Sequence, residues 1–353
     1  MRVSLRTIAR ETGLNVSTVS RALREFSSVD AETRRVVQAV ARRLGYVRDP
    51  LLANALTFAR RTDKPVYRET MAFLASVAVQ DYAQYPWLVE IHAGAARRAA
   101  ELGYGIERFR IPVAADRQRA LGRQLRSRGM RGSVVCPVHP VIENSPVSLD
   151  MDWAHLTGVE IGHSLQEPTL PRVVRYLADD SAMMLERLHA RGYRRIGLAM
   201  HRQDEETRRW AVLSACMLFV KFHRDTRFSC LFDAEADYSA AAFARWRRKF
   251  KPDVLIVNGP GVSEWVTAEG MRVPEDVGIC RIDCIAGREE SGLRVDYEHI
   301  GATAVNQLAS ILERGESNPM GGGGRTASRP TMSIPSIWHE GRTLRAQRMA
   351  IVT

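Results

Sequence analysis

Near the N-terminus the apolar pattern stops almost as soon as it starts, and this constrains the fold more than any other feature of the 353-residue chain. Leu5, Ile8 and Ala9 recur at helical spacing, Gly13 ends the run, and after Leu14 the residue Asn15 stands where a second helix wants its N-cap. The next segment, Val16 to Leu23, sets Val19 and Leu23 on one side and turns Ser17, Thr18 and Arg21 elsewhere. Helices this short do not persist alone in water and must share a core. A third helix supplies it. Asp30 serves as cap, Val36, Val37, Val40, Ala41 and Leu44 repeat at helical spacing, and Gly45 is a natural stop. Two short helices joined by a tight glycine-containing turn make a helix-turn-helix, whose second helix enters the DNA major groove with its N-terminal end leading.

Charge is placed to match. Residues 1–61 hold 12 Arg and no Lys against 5 acids, a net +7, so the rest of the chain carries only +4 of the total +11. A small basic domain ahead of a nearly neutral large one suits a polyanion-binding module joined to something else, although a solvated basic face with no partner carries the same charge. At 45% hydrophobic and 26% charged residues the chain is globular, and it is long enough for more than one core. The five cysteines, Cys136, Cys216, Cys230, Cys280 and Cys284, are odd in number and contain no C-x-x-C pair. They read as buried thiols in a reducing compartment rather than a disulfide framework or zinc site. Cys136-x-x-His139 is at most half a metal site, with no second half in view. No apolar run is long enough to span a membrane, and Met1-Arg2-Val3-Ser4 leads into a polar helix rather than a signal sequence. The expectation is a cytoplasmic protein with no membrane attachment, no cofactor and no metal.

Beyond a polar linker around Arg60–Arg68, strands and helices alternate. Thr70–Ser76 reads as a buried strand, Leu88–Leu102 as an amphipathic helix ending at Gly103, and Gly132–Pro137 as another strand. The pattern recurs with a strand at Arg195–Met200, a helix at Glu205–Phe222, strands at Val254–Asn258 and Val277–Ile282, and a helix at Ile300–Arg314. Such alternation implies parallel sheets, and its repetition implies two doubly wound lobes with a cleft between them. Residues Asn318–Ser328, with Gly321 to Gly324, read as a surface loop, and no Gly-Lys-Ser/Thr follows to make a phosphate-binding loop.

The strings LRTIARETGLNVSTVSRALRE (5–25) and VDAETRRVVQAVARRLGYVRDP (29–50) resemble the DNA-binding domain of the LacI/GalR repressor family. RGYRRIGLAM, KPDVLIVNG, VPEDVGICRID, HIGATAVNQL and WHEGRT, in that order over most of residues 70–345, resemble that family's periplasmic-binding-protein-like domain. The resemblance implies a small all-α helix-turn-helix domain at 1–48, a hinge helix and linker at 49–69, a two-lobed α/β effector and dimerisation domain at 70–345, and a tail at 346–353. It sets lobe 1 at about 70–190 and 298–328, and lobe 2 at about 191–297 and 329–345. It places Val16, Ser17 and Arg21 at base-reading positions. Arg21 has the donors for two hydrogen bonds to guanine, and Val16 the shape for a thymine methyl. Ser4, Thr18, Ser20 and Thr33 match groups that meet phosphates. In the hinge, Asp49 caps and Pro50 opens a helix whose minor-groove wedge is Leu56, one residue beyond the family's usual register; leucines at 51, 52 and 56 would equally pair two hinges in a dimer.

For the cleft the resemblance implies Asn258, Asp283 and one of Arg208 or Arg209 as effector contacts, an amide, a carboxylate and a guanidinium suited to neighbouring hydroxyls. A turn Asn, a capping Asp and a surface Arg pair are the bland alternatives. Tyr82, Tyr85 and Trp87 follow the first strand where an aromatic platform for a sugar face would sit, or where lobe packing would. Asp179 or Asp180 would stand in for the family's usual effector-loop Asp. The function expected is a homodimeric transcription repressor that binds an operator in double-stranded DNA under the control of a small molecule, a sugar by the family's habit. A corepressor-dependent repressor, an activator, or a ligand-binding module without DNA are the alternatives. No G-x-S-x-G, H-E-x-x-H or dinucleotide fingerprint is present, so no enzyme is expected.

Overall fold

Ile8, Val19, Ala22, Val37 and Ala41 are buried together because α1 (Leu5–Thr12), α2 (Val16–Leu23) and α3 (Ala31–Arg43) each turn one apolar stripe inward, with Leu14, Leu23, Val40 and Leu44 at its rim. Gly13 makes the turn with φ +68°, open to glycine at no steric cost. Asp30 caps α3, its carboxylate accepting from the Thr33 amide at 2.8 Å, and this bond lowers its pKa. Val36, expected in the stripe, is exposed; it sits on the flank of the face that Val37 and Ala41 define. The structure, a computed structural model, describes residues 5–23, 29–44, 68–136, 148–235, 237–258, 261–284, 289–314 and 329–346. The chain divides into two units, 1–66 and 67–353. Ser4, the hinge at 49–56 with Leu56, Gly45, His139 and the glycine loop at 321–324 lie outside the described residues.

The second unit holds two six-stranded sheets. The first is built from β1 (Thr70–Ala75), β2 (Gly105–Arg110), β3 (Gly132–Val135), β4 (Thr157–Ile161), β5 (Arg172–Arg175) and β11 (Thr331–Ile334), in the order β11-β5-β4-β3-β1-β2, all parallel. The second is built from β6 (Arg195–Ala199), β7 (Arg227–Cys230), β8 (Val254–Val257), β9 (Gly278–Cys284), β10 (Ser291–Arg294) and β12 (Ile337–His339), in the order β12-β10-β9-β8-β6-β7, with only β12 antiparallel. Each sheet is covered on both faces, which is why its central strands read as continuous apolar runs. In the first lobe α4 (Pro86–Glu101) and α12 (Tyr297–Arg314) cover one face, and α5 (Ala115–Ser127) the other. In the second, α6 (Leu177–Ala190) and α8 (Ala211–Phe222) lie opposite α10 (Ala240–Phe250) and α11 (Val262–Ala268). All five cysteines are buried, and burial pushes the Cys136 and Cys280 thiols up. Among the described residues no helix is long and apolar enough to cross a membrane.

Two expectations are corrected. The helix expected at 205–222 is two, α7 (Arg202–Thr207) and α8, because Arg209 and Trp210 take left-handed backbone angles. The buried Glu205 carboxylate holds this break by accepting the Leu213 amide at 2.8 Å. The lobe boundaries also shift. Met184, Leu185 and Leu188 of α6 pack into the second lobe, whereas β11 pairs with β5 in the first. The chain therefore crosses between lobes near 176, near 295–297 and at 335–336. Asp180 is used up at this junction, accepting from the Ser336 amide at 2.9 Å and hydroxyl at 2.6 Å, and Asp179 bonds Tyr176.

Helices α4 and α12 approach so closely that a Cβ on Gly301 would collide with the Ile91 carbonyl, and one on Gly94 with the Glu298 carbonyl. Gly301→Ala is expected to destabilise the second unit by about 1–3 kcal/mol, since backbone rather than a movable side chain must give way; unchanged urea unfolding would refute the close packing. His92 lies edge-on to Phe73 at 5.0 Å, and burial, with the Arg108 charge beside it, lowers its pKa from the ordinary 6.5. The unfolded chain then takes the proton first as pH falls. The His92 contribution is lost from about pH 6.5 downward, until the folded value is passed. His92→Gln should therefore lose less stability than the natural chain between about pH 7.5 and about pH 5.5; equal losses in denaturant titrations would count against it.

Candidate functional site

The outer face of the first unit is set by what α2 buries. Val19 and Ala22 point inward and are fully buried, so the opposite side of the helix is left at the surface. Val16, 41% exposed, stands at the leading end, Arg21 is exposed a turn and a half further on, and Thr18 is half-buried between them. Ser17 and Ser20 lie within α2, their side chains outside the described residues. Thr33 sits in the first turn of α3, half-buried, with its amide on the Asp30 cap. An exposed apolar group in the first turn of a helix and an exposed guanidinium in its last turn are groups that can meet a thymine methyl and a guanine edge.

The second set of groups gathers where the strand ends of the two sheets face each other. Arg175, last residue of β5, donates to the Ile282 carbonyl in β9 at 2.5 Å, so the carboxyl ends of the two sheets meet directly. Asp283 is next on β9, and its carboxylate accepts from the Tyr297 hydroxyl at 2.5 Å. Tyr297 opens α12, so this bond also joins second lobe to first. Burial, then the Asp283 charge, pushes the Tyr297 phenol well up, which keeps it a donor. Asn258, just past β8, donates from Nδ2 to Asp204 Oδ2 at 2.9 Å. Arg208 lies 3.8 Å from the other Asp204 oxygen and donates to the Asp204 carbonyl at 2.8 Å. Arg209 follows, close enough for its charge to pull down on the buried Glu160 of the first lobe. Glu160 is still raised overall, because burial outweighs the Leu165 amide at 2.8 Å and Arg172 at 2.6 Å.

Of the effector residues expected from sequence, Arg208, Asn258 and Asp283 stand in this cleft, and Arg209 faces it from the second lobe. The aromatic trio does not form an open platform. Tyr82 is buried in the first core with Arg108 over its ring, and Tyr85 and Trp87 pack edge-on at 6.2 Å against the same core. An aromatic group at the second lobe's edge is Tyr238, its ring tilted against His201 at 3.8 Å and neighbouring Trp265 at 5.0 Å. Its hydroxyl is buried without a protein partner, close enough to Asp204 and Arg281 to feel their charges. A cavity of about 370 Å³ opens beside it, lined by His201, Gln203, Glu206, Phe232 and Asp237. Asp204, Tyr238, Tyr297 and Arg175 were not picked out by sequence. Tyr297, directly before an apolar helical run, carried the best available signal. Among the described residues no group of His, Cys, Asp and Glu could hold a metal ion.

Comparison with known proteins places this geometry. Residues 4–49 match the family described as bacterial regulatory proteins, lacI family, and residues 185–323 match the periplasmic binding protein-like domain. The sucrose operon repressors of Shigella flexneri and Escherichia coli are each 28% identical over 306 residues, 80% of this chain and 85% of theirs. Among solved structures, a transcriptional regulator CelR–cellobiose complex aligns over 97% of this chain and 100% of its own at 17% identity, with a TM-score of 0.57. The lac repressor dimer bound to operator and the anti-inducer ONPF aligns over 98% and 100% at 18% identity, also with a TM-score of 0.57. At those identities the structures speak to fold, and the fold is the same pairing of a helix-turn-helix with two parallel-sheet lobes. Residues 4–49 are thus a DNA-binding domain of the lacI family of bacterial regulatory proteins, set ahead of a periplasmic binding protein-like domain, the arrangement of a transcription regulator of that family.

Proposed function

We propose that this protein is an operator-binding repressor that works in the cytoplasm as a homodimer and is controlled by a sugar bound between the two lobes. The observation that carries the reading is the combination, in one chain, of an exposed α2 leading end with a cleft where Asp283 and Asn258 stand at strand ends and Arg208 at the end of α7. In this reading Val16, Ser17 and Arg21 read base edges, Ser4, Thr18, Ser20 and Thr33 hold phosphates, and Leu56 wedges the minor groove. Two copies of α2 related by a dimer axis would read two half-sites of a near-palindrome. The sucrose operon repressors among its relatives, and the CelR regulator with its bound cellobiose, support a saccharide as effector. A sugar that binds one lobe arrangement better than the other shifts the population and with it operator affinity.

Arg21→Ala should weaken binding to the cognate promoter by about 1–3 kcal/mol, the worth of one bidentate base contact, while leaving binding to random DNA nearly unchanged. Footprinting and titration at fixed salt measure this; equal losses on both DNAs would leave Arg21 a phosphate contact only. For the cleft, a mono- or disaccharide such as sucrose or cellobiose should raise the melting temperature and change operator affinity. At a hundred-fold excess over Kd the stabilisation is about 2.7 kcal/mol. Asp283→Ala should erase the melting shift. A shift that survives this substitution moves the effector elsewhere, and operator binding indifferent to every such sugar removes the proposed control.

A further inference from the structure

The two donors that the cleft offers to a ligand are already turned toward a charge of the protein's own. Asp204 lies on α7 with its side chain only 7% exposed. One of its oxygens takes the Asn258 amide and the other faces the Arg208 guanidinium. Two neighbouring guanidiniums are engaged as well, Arg175 on the Ile282 carbonyl and Arg281 on Glu290 at 2.6 Å. Asp283 supplies a second carboxylate in the same lobe, with Glu90 of the first lobe close enough to feel its charge.

We propose that the Asp204 carboxylate sets the specificity of this cleft, admitting neutral hydroxyl-bearing ligands to Asn258 and Arg208 and turning away sugars that carry a carboxylate or phosphate. The inference rests on the sugar reading above. A hydroxyl both donates and accepts, so it can give its proton to Asp204 or Asp283 while taking one from Asn258. A carboxylate or phosphate only accepts, and it brings further negative charge against two fixed carboxylates. This is rejection by repulsion, built into the site rather than left to shape. Arg208, four residues beyond Asp204, is set over it by the last turn of α7 itself.

The test compares the full chain with Asp204→Asn, which keeps the shape and removes the charge, and with the smaller neutral Asp204→Ser. Titration calorimetry is run on matched pairs: glucose with glucuronate, galactose with galacturonate, and sucrose with sucrose 6-phosphate. The natural protein should bind at least one neutral member and hold its charged counterpart more weakly by about 100-fold. The substitutions should narrow that gap by about ten-fold or more, through tighter binding of the charged member. A natural protein that holds a charged sugar as tightly as its neutral counterpart overturns the inference, even if neither variant folds. So does a folded variant whose ratio is unchanged. In both cases the sugar reading stands. Silence toward all six compounds, neutral and charged, overturns the sugar reading and this inference with it.

Discussion

Asp180, buried on α6, accepts from both the amide and the hydroxyl of Ser336, and this pair of charge-assisted bonds ties together two of the three segments by which the chain passes between its lobes. The strand order makes the tie possible. β5 lies beside β11 in one sheet and β10 beside β12 in the other, so the crossings at 176, at 295–297 and at 335–336 leave from neighbouring strands. Three crossings, two of them tied through Asp180 and Ser336, carry the chain from lobe to lobe. The same constraint fixes which ends of the strands confront each other, and Arg175 reaching the Ile282 carbonyl is the visible result.

Facing strand ends bring polar groups into a place with little water, where an unpaired one is costly. The protein answers by pairing them: Tyr297 with Asp283, Asn258 with Asp204 and Arg208, and Arg172 with Glu160. A ligand entering this network gains only the difference between the bonds it makes and those it replaces. Under the sugar reading proposed above, a polyol, carrying a donor and an acceptor on every hydroxyl, exchanges such bonds one for one.

What the sequence made legible divides along local and non-local lines. The three helices of the first unit were readable because their signals are local: a glycine at the turn, Asp30 as cap, and apolar residues at helical spacing. Val36 was misjudged for the same reason, since periodicity alone does not tell the centre of a buried face from its flank. Asn258 and Asp283 were readable because each closes an apolar strand. The division of α7 from α8 was not, because a helical pattern runs straight through Arg209 and Trp210, and only Glu205 reaching the Leu213 amide shows the interruption. The assignment of α6 and β11 to lobes depends on pairings far apart in sequence, which no local pattern encodes. Tyr82 shows the remaining limit: an aromatic beside a strand end reads alike whether it faces a cleft or a core.

The placement of charge joins the two halves of the argument. In the second unit arginines are abundant but largely answered nearby: Arg98 by Glu101, Arg119 by Asp150, Arg128 by Glu107, Arg131 by Glu69, Arg245 by Glu235, Arg247 by Glu269 and Arg272 by Asp276. Such surface pairs add little to stability, yet each cancels a charge that would otherwise act at a distance. The first 61 residues instead carry +7, and the ion pairs described there, Arg43 with Glu11 and Arg35 with Glu32, leave most of that charge to act outward. A polyanion is then drawn to the helix-turn-helix rather than to the lobes. The lobes, with many of their surface charges paired, offer a polyanion no comparable field. The two recognition tasks are separated electrostatically as well as along the chain.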